Sequence, residues 1–332
     1  MVFFITVLRF LAALLITNSH FGGIYPHSSL ACGGMLGNLL FFAVSGYCLY
    51  NVRGTFLRWY GQRLLRIYPA VVIVTSFGIF VGYQWVNATF ESFISVFLFP
   101  TFYHFVAAIV ILYIPFYFLM KVPDFRLWRL DKLGWILLAV FTLHLMVYIF
   151  FYDKTTYRIE QVGTGQKFPW FIFFESMLLG AIFRKYDSIF RSRRFRPVWD
   201  VLMLFLFAIG YAGVRTLLKT GRIPGEYQIV SPIFLNLLTG ALFWSASSLD
   251  RAMEIWKGSN RWIGRTIEII SSLTLEIYLV QNVVIVFIPS MLKVSFPLNW
   301  LACVAVILLG AFLVRNFCIR VTAPLIRILK RG

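Results

Sequence analysis

Stretches of 17 or more mostly apolar residues recur from one end of this 332-residue chain to the other. Each is long enough to cross the roughly 30 Å hydrocarbon layer as a helix. In lipid every backbone N–H and C=O must bond within the protein, so only helices or a closed β-barrel can span. A barrel would show ~10-residue segments of alternating polarity, and the sequence has none. Hydrophobic residues make up 60% and charged residues 13%, with a mean hydropathy of +0.81, which excludes an ordinary soluble domain. The expected fold is all-α and polytopic.

Ten spans are expected, near 3–21, 34–52, 68–86, 93–120, 134–151, 167–184, 198–218, 227–248, 267–289 and 298–318. Pro100 interrupts the overlong fourth segment, which places its spanning part at 102–120. The net charge of +18 raises the question of nucleic acid, but the placement of the charges answers it. Lys and Arg at or beyond the ends of spans 2, 4, 6, 8 and 10 number 23, against 7 on the other side. By the positive-inside rule both termini are then cytoplasmic. The basic charge reads as a topology signal and a contact with anionic membrane lipids, with no nucleic-acid surface.

The first span lacks the basic leader and small-residue cleavage site of a signal peptide and is expected to be retained. Residues 1–332 show no internal repeat or low-complexity linker and read as a single transmembrane domain. Cys32, Cys48, Cys303 and Cys318 have no C-x-x-C spacing, and the three in spans read as packing residues. The four histidines lack metal-ligand spacing, so no metal is expected.

Within the first span, "RFLAALLITNSH" carries Arg9 and His20 eleven residues apart. At 100° per residue the two share nearly one helix face, about 16 Å apart along the axis. Arg9 falls in the inner leaflet and His20 near the outer end. A charge at that depth costs at least ~2.5 kcal/mol unless it faces protein or water. Two readings stand: a lined interior path, or Arg9 snorkelling to the headgroups with His20 in the outer interface. The shared face favours the first.

The second span, "GNLLFFAVSGYCLYN", carries Gly37, Ser45 and Gly46, small residues that let a helix or a ligand approach closely. For Gly46 alone, helix packing is the simpler reading. In the loop that follows, Arg53, Arg58, Arg63 and Arg66 fall within 14 residues, ahead of Pro69 at the start of the third span. Arg63 and Arg66, three apart, project from one side of a helical turn. A guanidinium fork binds phosphate bidentately, yet a plain topology signal also accounts for the run.

R-x10-H at Arg9 and His20, "FFAVSG" at 41–46, "FLRWYGQRLLRIYP" at 56–69 and "SSLTLEIYLVQ" at 271–281 together resemble the acyltransferase-3 family of integral-membrane acyltransferases. The ten-span topology with both ends inside is similar too. The resemblance implies transfer of an acyl group, commonly acetyl, from cytoplasmic acyl-CoA to hydroxyls of surface carbohydrates such as O-antigens, capsules and exopolysaccharides, or to lipid-linked precursors. It also implies a bacterial inner membrane. Carried over, His20 is the catalytic histidine and Arg9 its motif partner. Arg63 and Arg66, with Arg58 nearby, match the arginines at the acyl-CoA site. Three positions and one segment depart from common patterns: Asn38 replaces an aspartate, Gln62 an arginine and Gln281 a histidine, and "YHFVAAIVILYIP" lacks the W-x-L-S-x-E of one subgroup. The chain is expected to be a transferase without a fused extracytoplasmic domain.

On this reading neutral His20 takes the acceptor proton, and Ser45 and Cys48 are the nearest nucleophiles for an acyl relay, though both also suit packing. Glu175, Glu276 and Gln281 lie inside spans and, with Ser45, are supporting or acceptor-site candidates. An intramembrane carboxylate is a functional signal, and a buried structural hydrogen bond accounts for Glu175 and Glu276 equally well. Glu175 in particular would bond an acceptor sugar or orient His20. His104 and His144 read as structural. "GTG" at 163–165 has no strand–helix context and is no nucleotide cradle. The rival reading is a transporter or flippase for an anionic glycan or lipid-linked sugar, which would favour paired broken helices or a repeat. A third is a membrane scaffold.

Overall fold

The computed structural model describes residues 2–127, 130–162 and 167–331, with side chains described through 324. Among the described residues the fold is all-α apart from a two-stranded antiparallel pair, β1 (Arg126–Leu127) with β2 (Leu130–Asp131). Residues 163–165 lie outside the described residues. The helices are α1 (Phe3–His20), α2 (Gly34–Leu49), α3 (Phe56–Phe80), α4 (Phe90–Phe97), α5 (His104–Lys121), α6 (Lys132–Phe151) and α7 (Pro169–Lys185). There follow α8 (Asp187–Ser192), α9 (Pro197–Lys219), α10 (Val230–Ser259), α11 (Arg261–Ser272), α12 (Thr274–Leu292) and α13 (Leu298–Arg331).

Nine helices among the described residues are long and apolar enough to cross a membrane. The tenth expected span is α7, whose 17 residues sit at the short end of the spanning range. The interruption at Pro100 is real: α4 ends at Phe97 and α5 begins at His104.

Several boundaries differ from the sequence reading; α3, for one, ends at Phe80 rather than at 86. The expected arginine loop is helical from Phe56, so Arg58, Arg63 and Arg66 ride on α3 and Pro69 sits inside it. Leu, Arg and Gln are good helix formers, and a membrane helix tolerates a proline whose freed carbonyl finds other partners. α10 runs eleven residues past the expected 248, to Ser259. α11 was not expected as a separate helix: the expected ninth span, 267–289, merged residues 267–272 of α11 with α12, which begins at Thr274.

The helices cluster into two compact units. The first comprises Met1–Arg9, Asn38–Asn51 and Phe118–Arg265, the second Phe10–Gly37, Val52–Tyr117 and Thr266–Gly332. α1 and α2 contribute residues to both.

The core of the first unit is α7, which buries both aromatic and small residues. Gly46 and Gly180 explain its closeness to α2: a Cβ on Gly46 would overlap the Met177 carbonyl oxygen, and one on Gly180 the Ala43 carbonyl oxygen. Beside this crossing Phe42 stacks on Phe173 with ring centroids 4.6 Å apart. Gly46 of "FFAVSG" is thus a helix-packing residue. α9 is the opposite case, with only Asp200 and Leu218 buried and an apolar face left for lipid.

The start of α1 is pinned in this unit. The Phe4 N–H, one of the orphan donors of a helix N-terminus, donates to Asp250 Oδ1 at 2.9 Å. Arg191 holds the other oxygen of that carboxylate at 2.8 Å, and also pairs with Asp187 at 3.4 Å.

In the second unit α5 is the most buried helix, and α3, α12 and α13 pack against one another. Tyr117 on α5 donates to the Gly54 carbonyl at 2.8 Å, fixing the chain just ahead of α3.

Candidate functional site

α1 delivers the first two expected residues. Its 18 residues form one continuous helix with Arg9 and His20 on it, about 16 Å apart along the axis. Arg9 is half-buried, and its Nη2 lies 3.6 Å from the Cys48 sulfur. That places a guanidinium on the thiol weighed as a relay nucleophile. Ser45, one turn earlier on α2, is half-buried.

His20 closes α1 with its side chain exposed. Among the described residues no hydrogen bond orients its ring. The backbone around it is fixed nonetheless by Asn18, whose Nδ2 donates to the Leu30 and Cys32 carbonyls at 2.8 and 3.0 Å. Tyr25 O–H donates to the same amide's Oδ1 at 2.7 Å. One turn before His20, the buried hydroxyl of Thr17 has no partner among the described residues. The helix beneath is held against α2 at Gly37, where a Cβ would meet the Ala12 carbonyl at 2.9 Å.

The arginines of α3 belong to this second unit. Arg63 lies over the Trp59 ring, 5.4 Å from its centroid; Arg58 is half-buried and Arg66 exposed. The structure adds a residue that sequence reasoning passed over. Arg315 of α13 reaches Glu276 of α12, Nη1 to Oε1 3.5 Å, and the charges of both Arg315 and Arg66 act on that carboxylate. Glu276 is only 5% exposed, and its Oε2 has no hydrogen-bond partner among the described residues. Three helices thus bring two arginines to one buried carboxylate, a cluster rich in donors and able to take an anion. The signal was present in the sequence, since Arg315 falls inside the apolar segment 298–318. Further along α12, Gln281 is fully buried, and neither end of its amide has a partner among the described residues.

Glu175 sits in the first unit in a four-residue network. Its Oε1 lies 2.7 Å from His144 Nδ1, and its Oε2 accepts from Asn236 Nδ2 at 2.7 Å. Ser176 O–H donates to Asn236 Oδ1 at 2.7 Å. The His144 ring stacks on Phe171, with centroids 5.4 Å and planes 7° apart, and Phe168 meets it edge-on. His144 is 1% exposed and its Nε2 has no partner among the described residues. The imidazole that meets Glu175 is therefore His144, a residue the sequence offered only as structural. His104, at the first position of α5, is half-buried.

Beside this network runs a groove of about 650 Å³ between α6, α7 and α10, with Glu175 and Asn236 in its lining. One end of the groove is lined by Asp131 and Tyr186. Partial burial raises the Asp131 pKa, but hydrogen bonds from Lys185, the Gly134 N–H and Tyr186 outweigh it and hold the carboxyl below its ordinary value. Lys185 Nζ lies 2.9 Å from Asp131 and 3.0 Å from Asp124.

No group of three or more His, Cys, Asp or Glu among the described residues is placed to hold a metal ion. A family model described as "Acyltransferase domain" matches residues 2–316. No curated protein and no solved structure matches the chain.

Proposed function

The chain belongs to the acyltransferase-3 family, and from that membership we propose that it transfers an acyl group, most simply acetyl, from cytoplasmic acyl-CoA to a hydroxyl of a cell-surface carbohydrate or its lipid-linked precursor. The family match over residues 2–316 carries this reading. The location that goes with it is a bacterial inner membrane.

The chemistry assigns each residue a task. Neutral His20 accepts the proton of the acceptor hydroxyl as its oxygen attacks the thioester carbonyl. The carbon–sulfur bond then breaks, the CoA thiolate leaves, and the proton passes from His20 to that sulfur. Arg9, about 16 Å along α1 from His20, anchors the pantetheine arm of the donor rather than touching the carbonyl under attack. Arg58, Arg63 and Arg66 take the phosphates of the donor, and Arg315 joins them. An arginine suits this task because its charge persists in a partly desolvated site. Glu276 holds Arg315 in place until a phosphate competes for it.

The test is label transfer from radiolabelled acetyl-CoA in membranes that contain the protein. Label should reach endogenous glycan with the native chain and not with His20→Ala. A well-expressed His20→Ala variant that acylates normally would overturn the assignment of the base.

A further inference from the structure

The His144–Glu175–Asn236–Ser176 network and the groove beside it have no part in the reaction above, and both lie wholly within the first unit. The groove runs from Asp131, at the N-cap of α6, to Phe141 within it, about 15 Å along the helix axis. Its walls are aliphatic, including Leu137, Leu179 and Ile233. Leu138 and Leu237, 44% and 45% exposed, open it on the flank of spanning helices. Such walls would ordinarily face hydrocarbon alone. Here they frame a carboxylate and a carboxamide.

The polar groups are fixed before any ligand arrives. His144 holds one oxygen of Glu175 and Asn236 the other, so the carboxylate plane is set. Asn236 is set in turn by Ser176. An Nδ2 amide carries two hydrogens and a carboxylate oxygen more than one acceptor site. After the bonds already made, Asn236 offers one N–H and Glu175 offers acceptor capacity, side by side. That pair matches a hydroxyl, which donates and accepts at once. An ammonium would answer Glu175 but leave the Asn236 N–H unmet, because it has no acceptor. A carboxylate would answer Asn236 but meet the Glu175 charge.

We propose that this groove is a binding site for a long-chain lipid alcohol: the chain lies along the aliphatic walls of α6, α7 and α10, and its hydroxyl donates to Glu175 and accepts from Asn236. The proposal does not rest on the acyl-CoA reading. It concerns binding, and it predicts that His20→Ala leaves the site intact.

The purified protein in nanodiscs would be labelled with a diazirine-bearing hexadecanol, in competition with hexadecanol, hexadecylamine, palmitic acid and hexadecane. The label should map to peptides of α6, α7 and α10, and hexadecanol should compete about tenfold better than the other three, equivalent to ~1.4 kcal/mol. Asn236→Leu should bring hexadecanol and hexadecane to parity. Leu179→Trp, which fills the groove and leaves the four-residue network untouched, should abolish labelling, and Leu138→Trp at the rim should weaken it. Labelling in His20→Ala should match the native protein even though acyl transfer is lost. Equal competition by hexadecane would reduce the site to a bare apolar groove. Stronger competition by hexadecylamine would make it a cation site, and labelling that persists in Leu179→Trp would place the ligand elsewhere. Any of the three overturns the proposal.

Discussion

Replacing His144 by phenylalanine keeps a ring in the stack with Phe171 and removes one thing, the Nδ1 partner of Glu175. The carboxylate, 3% exposed, then keeps only the hydrogen bond from Asn236. Breaking one side of a buried, charge-bearing pair costs about 3–5 kcal/mol, because the remaining charge is stranded without compensation. At roughly 2–4 °C per kcal/mol for a domain of 150–250 residues, Tm should fall by at least about 6 °C. Adding Glu175→Gln removes the stranded charge and leaves an amide oxygen for Asn236. The double variant should therefore melt above His144→Phe alone, a coupling that a double-mutant cycle reads directly. The assay is thermal unfolding of the detergent-solubilised protein, followed by tryptophan fluorescence. Single variants within 1 °C of the native chain, or a double variant whose losses simply add, would refute the claim that the pair is a buried constraint.

Gly46→Ala should destabilise by about 1–3 kcal/mol through overpacking, since its Cβ meets the Met177 carbonyl. Gly61→Ala on α3, where a Cβ meets nothing within 4 Å, should be neutral or gain up to ~1 kcal/mol of helix propensity; the same melts compare them. Arg315→Ala should raise KM for acetyl-CoA about tenfold or more, the worth of a hydrogen bond to a charged group, with a smaller change in kcat; steady-state kinetics on reconstituted protein checks it. The Asp131 clamp has a pH signature. Its folded carboxyl titrates below the ordinary 3.8, so the clamp stabilises fully above that pH and fades as pH falls through the folded value. Asp131→Asn should therefore lower Tm at pH 7, and the two proteins should converge toward pH 3.

The spans were legible because lipid leaves the backbone so few options. Hydropathy indicated ten segments, and nine helices among the described residues are long and apolar enough to span. What hydropathy missed is where apolar and charged positions mix: the last eleven residues of α10, and α11, whose first six residues fell outside the expected ninth span and whose last six were merged into it. At α3, Pro69 reads naturally as a helix start, yet thirteen residues of helix precede it. The Arg9–His20 pair was readable because both lie on one helix, where spacing fixes the face. His144 and Glu175 are 31 residues apart and Glu175 and Asn236 61 apart. Polar pairs between helices leave no local period, so only the packed structure brings them together. The same holds for Asp250 beneath the start of α1, 246 residues from the N–H it accepts. Arg315 is different: an arginine inside an apolar segment is a signal in its own right.

The most direct test of the central claim is transfer of label from radiolabelled acetyl-CoA to glycan in membranes carrying either the native chain or His20→Ala at equal expression. Labelled glycan from the native chain and none from His20→Ala is the predicted result. Equal labelling from both, or no dependence on the protein at all, would contradict it.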